Sequence, residues 1–242
     1  MASPSWLDEL PRLSGSLVHV REVALSDAPV LYELLSEPRV TQHLSGPPAS
    51  FQAFQGFVRW AHRQRSAGNG VTFGIVPTGL RSAVGIVQVR ALEPTWIVAE
   101  WGFALGVAFW GTGVFSEAAE LVARFAFDHL NVQRLEARVV TSNGRASGAL
   151  NKMGASAEVT LARSFKRPDG TYSEQLLWSL RAEDWRQRGL FDVGRFSPDA
   201  AKRRIAAVVS DVQQLLRDRS ARATNDDSPE YPFLLTRNVD HS

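Results

Sequence analysis

The chain has 242 residues, 44% of them apolar and 21% charged, with a formal net charge of +2 and no cysteine. Such a composition belongs to a globular protein rather than a disordered one. It excludes disulfides, thiolate metal sites and a cysteine nucleophile, and so small a charge gives no ground for a nucleic-acid partner. Residues 1–15 mix prolines and acids without an apolar core of signal-peptide length, and no run reaches bilayer length, so a cytoplasmic protein without membrane attachment is expected.

Residues 17–23 alternate apolar and polar side chains, the period of a half-buried strand. Asp27 and Pro29 then mark a helix start, with Val30, Leu31, Leu34 and Leu35 on one face, and Pro38 is expected to stop it. A second helix is predicted from Ser50, carrying Phe51, Phe54, Phe57 and Val58, to the breaker at 66–70. Strands follow at 71–76, 83–91 and 97–105, joined by links too short for a parallel crossover and therefore paired antiparallel.

After a turn at 106–113, Val114 opens the clearest helix of the sequence. Phe115, Ala118, Leu121, Val122, Phe125, Ala126, His129 and Leu130 repeat at helical spacing, with Glu120 and Arg124 paired on the outside. A strand at 134–140, a short helix at 145–153 closed by Gly154, and two strands flanking Pro168-Asp169-Gly170 complete the pattern. The expected fold class is mixed α/β, α+β-like: a mostly antiparallel sheet with one strand–helix–strand crossover in its middle. The chain divides into an arm at 1–16, a domain at 17–187 and an extension at 188–242. In the extension a helix starts at Ser197-Pro198-Asp199, and its stripe of Ile205, Val208, Val209, Val212, Leu215 and Leu216 docks on its own domain or forms a homodimer interface.

The informative stretch is Leu105-Gly106-Val107-Ala108-Phe109-Trp110-Gly111-Thr112-Gly113-Val114-Phe115. A strand ends, the chain turns through closely spaced glycines, and a long amphipathic helix begins. Glycine lets the backbone approach a ligand, and the open N–H groups of a first helical turn suit a pyrophosphate. Three readings compete: a tight turn without ligand, a dinucleotide site and a coenzyme A site. Glu136 lies at a suitable distance for a ribose hydroxyl, but Ser116 stands where the dinucleotide fingerprint has its third glycine. The absence of a following Gly-Lys-Ser/Thr excludes a nucleotide-hydrolase loop.

Several blocks occur in order over residues 18–185: Ala99-Glu100-Trp101-Gly102-Phe103-Ala104-Leu105, Trp110-Gly111-Thr112-Gly113 with Glu117-Ala118, Arg134-Leu135-Glu136-Ala137-Arg138, Asn143, and Lys152-Met153-Gly154-Ala155. In these the chain resembles the GNAT N-acetyltransferases, particularly the branch of ribosomal-protein N-terminal alanine acetyltransferases. The resemblance implies a GNAT-type sheet with a βαβ acyl-CoA-binding crossover and acetyl-CoA as co-substrate. It implies that Phe109, Trp110, Gly111, Thr112, Gly113, Val114 and Phe115 hold the pyrophosphate through backbone amides. Phe103, Ala104 and Leu105 would receive the pantetheine arm, with Asn143 touching it from the next strand. Ala108 departs from the glutamine or arginine usual in that loop, and Ala146, with Ser147 one place later, departs from a serine that often follows the asparagine.

Acetyl transfer to a primary amine, whether a protein N-terminal α-amine or a small-molecule amine, needs a neutral nitrogen and a way to release the thiolate. Glu100 is the first candidate base, since a charge in an otherwise apolar strand is costly without a task; a solvent-facing or Arg138-paired carboxylate is the alternative. Glu136 is a second candidate carboxylate on the acceptor side, with an ion pair to Arg134 or Arg138 as the plainer reading. Ser147 and Tyr172 are candidate proton donors to the sulfur. His43 lies in the loop between the first two helices, where this family admits its acceptor, and is a candidate substrate contact. The 5 histidines have no paired spacing, so no metal is expected. With no cysteine to carry an acyl group, direct attack is expected. The rival from another class is a non-catalytic acyl-CoA sensor or assembly module, favoured by Ala108 and Ala146.

Overall fold

The structure is a computed structural model that describes residues 5–44, 50–167, 169–188 and 198–220. Among the described residues eight strands make one sheet: β1 (Leu13–Ser14), β2 (Val18–Glu22), β3 (Gly70–Pro77), β4 (Gly85–Ala91), β5 (Val98–Leu105), β6 (Arg134–Val140), β7 (Ser156–Lys166) and β8 (Tyr172–Arg181). Their order is β1-β2-β3-β4-β5-β6-β8-β7, and every neighbouring pair is antiparallel except β5 and β6.

The parallel pair needs a long crossover, and α4 (Val114–His129) supplies it. Its buried stripe of Val114, Ala118, Val122, Phe125 and Ala126 joins Phe73, Ile75, Val87, Val89 and Trp101 in the larger core. On the opposite face α1 (Ala28–Leu35) and α3 (Phe51–Ser66) pack Leu31, Leu35, Phe54, Phe57 and Val58 against Val76, Ile86 and Ala104. Alternate residues of one strand thus go to different cores. β3, covered on both sides, is buried along its whole length, which is why it reads as a continuous apolar run. Ser50 caps α3 through its hydroxyl, which accepts from the N–H of Ala53 at 3.1 Å.

Three local features differ from the pattern reading. Pro38 opens a further one-turn helix, α2 (Pro38–Thr41), because its fixed φ and missing N–H suit a first helical position. Asp27 precedes α1 but does not cap it. Its carboxylate is fully buried, takes two bonds from Arg21 at 2.7 and 2.8 Å, and accepts from the N–H groups of Ala24 and Ala83. His129 is exposed at the end of α4, with its ring 5.3 Å from that of Phe125, rather than packed in the core. The strand β1 and the helix α6 (Ala182–Arg188) are too short to show periodicity.

Two further helices are α5 (Gly144–Lys152) and α7 (Pro198–Ser220). Ala201, Ile205, Val209 and Val212 of α7 are buried in the larger core, and the helix lies against the short turn Val107–Phe109. The stripe therefore docks on its own domain. The side chains of Leu215 and Leu216, Ser197, Pro168 and the tail beyond 220 lie outside the described residues.

Candidate active site

The parallel strands β5 and β6 pair only at Val98 with Arg134, Ala99 with Leu135 and Glu100 with Glu136. Beyond those positions they part, although β5 continues to Leu105 and β6 to Val140. The opened wedge is a cleft of about 830 Å³, walled by Trp101, Gly102, Phe103, Ala104 and Leu105 on one side and by Ala137 to Val140 on the other. The facing backbone edges have no strand partner there, so their amide groups are available to an extended chain carrying amides of its own.

The cleft ends at the head of α4. Gly111 and Gly113 sit at φ of +73° and +92°, in the left-handed region that other residues resist. A Cβ at Gly111 would meet nothing within 4 Å, so conformation alone demands glycine there; one at Gly113 would come 3.2 Å from Leu17 Cδ1. Trp110 is pinned by its indole N–H, which donates to the Leu105 carbonyl at 2.8 Å. The Thr112 hydroxyl donates to the Phe109 carbonyl at 2.7 Å and accepts from the Val114 N–H at 3.4 Å. Among the described residues the N–H groups of Gly111, Thr112, Gly113, Phe115 and Ser116 have no acceptor within the protein. Open amides at the positive end of a sixteen-residue helix form an anion site.

The charges around the cleft agree in sign. Arg39, Arg138, Arg145 and Lys152 line it, and no aspartate or glutamate does so among the described residues. Arg39 and Arg145 both approach the Trp110 ring, with guanidinium carbons 5.3 and 4.6 Å from its centroid. The aromatic platform therefore gathers two cations beside the glycine turn. Arg138 is held from behind: its Nε lies 3.3 Å from Glu100 Oε1, while Arg90 Nη2 lies 2.9 Å from Glu100 Oε2.

The structure brings Phe103, Ala104, Leu105, Trp110, Gly111, Gly113, Phe115, Asn143 and His43 to one cleft. Asn143 caps α5, its Oδ1 accepting from the Ala146 N–H at 3.1 Å. Phe109 and Val114 face the core instead, and Thr112 uses its side chain to brace the turn. Glu100 lies behind the cleft wall, 2% exposed between its two arginines. Glu136 pairs with Arg134 at 2.9 Å and does not line the cleft. The Ser147 hydroxyl is buried without a partner and also lies outside the lining. Tyr172 is 48% exposed at the start of β8, with Arg163 over its ring at 5.1 Å, away from the cleft. Sequence gives Arg39 and Arg145 no role, and Lys152 enters only as the first residue of the Lys152-Met153-Gly154-Ala155 block; Arg145 had the signal of a predicted short helix following Asn143, and Arg39, placed after the expected stop at Pro38, had none.

Residues 18–156, more than half of the chain, match the acetyltransferase (GNAT) domain family. The chain therefore belongs to the GNAT acetyltransferases. It is similar to the uncharacterized N-acetyltransferase p20 of Bacillus licheniformis, at 25% identity over 167 residues, covering 69% of this chain and 93% of that one. The fold is shared with the ribosomal L7/L12 α-N-protein acetyltransferase RimL in complex with coenzyme A, with a TM-score of 0.65, 16% identity, and 71% and 98% of the two chains covered. It is shared as well with the ribosomal-protein-S5-alanine acetyltransferase of Vibrio fischeri, with a TM-score of 0.62, 18% identity, and 72% and 98% covered. An acetyltransferase acting from acetyl-CoA is the activity that this membership carries. No described helix is long and apolar enough to cross a membrane.

Proposed function

We propose that the protein acetylates a primary amine by direct attack of the amine on the thioester of acetyl-CoA. The amine would be a protein N-terminal α-amine, as the name of the ribosomal L7/L12 α-N-protein acetyltransferase RimL suggests, or an amine of a small molecule. The observation that carries this reading is the set of open N–H groups from Gly111 to Ser116 at the head of α4, beside strands that part to admit an extended arm. Those amides would hold the diphosphate, Arg39, Arg145 and Lys152 would balance its charge, and the unpaired edges of β5 and β6 would align the pantetheine amides. Phe103, Ala104 and Leu105 would then bring the acetyl group to the inner end of the cleft, where a backbone N–H can polarise the carbonyl.

In this reading Glu100 acts through Arg138 instead of touching the amine. Each of its carboxylate oxygens faces a guanidinium, and the group is walled off from the cleft. Its place behind Arg138 fixes one cation of the cleft wall. The protein's contribution in this reading is to position thioester and amine between the parted strands β5 and β6.

The test follows free thiol. Purified protein is mixed with acetyl-CoA and a panel of acceptors: hexapeptides beginning with alanine or serine, spermidine, and an aminoacyl amide. The reading predicts thiol release with at least one amine and an added acetyl mass on that amine. Thiol release that is independent of any amine, or none at all alongside tight CoA binding, contradicts it.

A further inference from the structure

An amine that forms an amide must lose a proton, and among the described residues the cleft is lined by no carboxylate to take it. Arg39 on α2, Arg138 on β6 and Arg145 and Lys152 on α5 line the wall, and all are donors without acceptor capacity. One lining group differs. His43, just beyond α2, shares the cleft with Trp101 to Leu105, and its Nδ1 is buried without a hydrogen-bond partner among the described residues. Leaving a buried polar ring nitrogen unsatisfied costs on the order of 1–3 kcal/mol. Such a cost is removed if a donor arrives with the substrate.

We propose that His43 is the base that removes the proton from the attacking amine. The inference rests on the amine-acetylation reading above. Burial, with the positive charge of Arg167 added, holds the imidazole below the ordinary histidine value of 6.5, so the ring is neutral and able to accept at physiological pH. The four lining cations disfavour an ammonium in the cleft, so the amine enters neutral. Its lone pair forms the C–N bond at the acetyl carbonyl carbon as the C–S bond breaks with its electron pair on sulfur. The N–H proton passes to Nδ1 of His43 and on to solvent, and the sulfur takes a proton from solvent.

Three measurements on the full chain test the assignment, with the alanine-starting hexapeptide as acceptor, or another amine of the panel should that one react better. His43→Gln should lower kcat by about 100-fold while the KM for acetyl-CoA and the melting temperature with CoA stay near wild type. Added imidazole should restore part of the rate of His43→Ala, which no structural role for the side chain would produce. In the unliganded wild-type protein, NMR titration of the His43 ring should give a midpoint below pH 6.5. A His43→Gln enzyme within about threefold of wild type, or a ring that titrates at or above pH 6.5, overturns the proposal. Absence of turnover by wild-type protein on every amine overturns the acetylation reading and this inference together, and is distinguished by leaving nothing for the variants to lose.

Discussion

The carboxylate of Glu117 accepts a hydrogen bond from the backbone N–H of Leu17 at 2.7 Å, across a hundred residues of sequence. The same carboxylate accepts from the N–H of Val18 at 2.8 Å and from the N–H and hydroxyl of Ser16, both at 2.8 Å. Glu117 stands in the first turn of α4, where a negative charge is favoured. It thereby fastens the β1–β2 turn beneath the glycine turn, and the Leu17 side chain lies under Gly113. Gly15 makes room for this contact, since a Cβ there would fall 2.4 Å from Glu117 Cδ.

Replacing Glu117 by alanine strands these donors in a partly buried turn, and should cost on the order of 2 kcal/mol of unfolding free energy. Urea denaturation measures it. Because the turn also supports the head of α4, CoA affinity should fall with stability; a stable variant with unchanged CoA binding would contradict the link.

Gly111 and Gly113 separate two effects. Gly111→Ala meets open space, so only the left-handed backbone opposes it, at roughly 1 kcal/mol. Gly113→Ala adds the contact with Leu17 and should be the less stable of the two. Both should weaken CoA binding, since each redirects amides of the turn. Calorimetric titration with CoA, paired with melting curves, distinguishes loss of the site from loss of the fold.

Glu100→Gln should act chiefly on stability. It leaves Arg90 and Arg138 facing an uncharged group, and because both guanidiniums are partly exposed the cost is nearer about 2 kcal/mol than the larger figure for a wholly buried pair. In a chain of this size that lowers the melting temperature by about 6 °C. The expected kinetic signature is a raised acceptor KM, from a looser Arg138, with the pH dependence of kcat unaltered. A pH profile that loses its acid limb in Glu100→Gln and keeps it in His43→Gln would make Glu100 the base.

Glu158 gives a stability test with a defined pH window. Hydrogen bonds from Arg134, followed by one from Ser179, hold its carboxyl down at about 2, against an ordinary 4.5. A depressed folded value means that the contact contributes fully above pH 4.5 and is lost as pH falls through about 2. With 38% of the side chain exposed the contribution is screened, at less than about 1 kcal/mol. The stability difference between wild type and Glu158→Gln should therefore be flat near neutrality and vanish at the acid end. A difference that grows on acidification would contradict the assignment.

The elements that sequence revealed are those with a strong period or a glycine boundary. The α4 stripe and the Gly111–Gly113 turn belong to this kind, as do the antiparallel block and the single crossover. The wall of the cleft was less legible for a physical reason. Arg39, Arg138 and Arg145 come from three elements, and no local pattern records that a helix, a strand and a second helix line one cleft. Glu100 shows the converse. Its charge in an apolar strand signalled a task, but whether a strand carboxylate faces a ligand or a pair of arginines depends on neighbouring strands. Tyr172 is a candidate by its chemistry alone, and the β7–β8 pairing carries it to an exposed end.

A crystal structure of the protein with bound acetyl-CoA tests the central claim most directly. The account predicts diphosphate oxygens within hydrogen-bond distance of the N–H groups between Gly111 and Ser116, with the pantetheine arm running between β5 and β6. Density for the diphosphate elsewhere, with those amides turned toward acceptors of the protein's own, would contradict it.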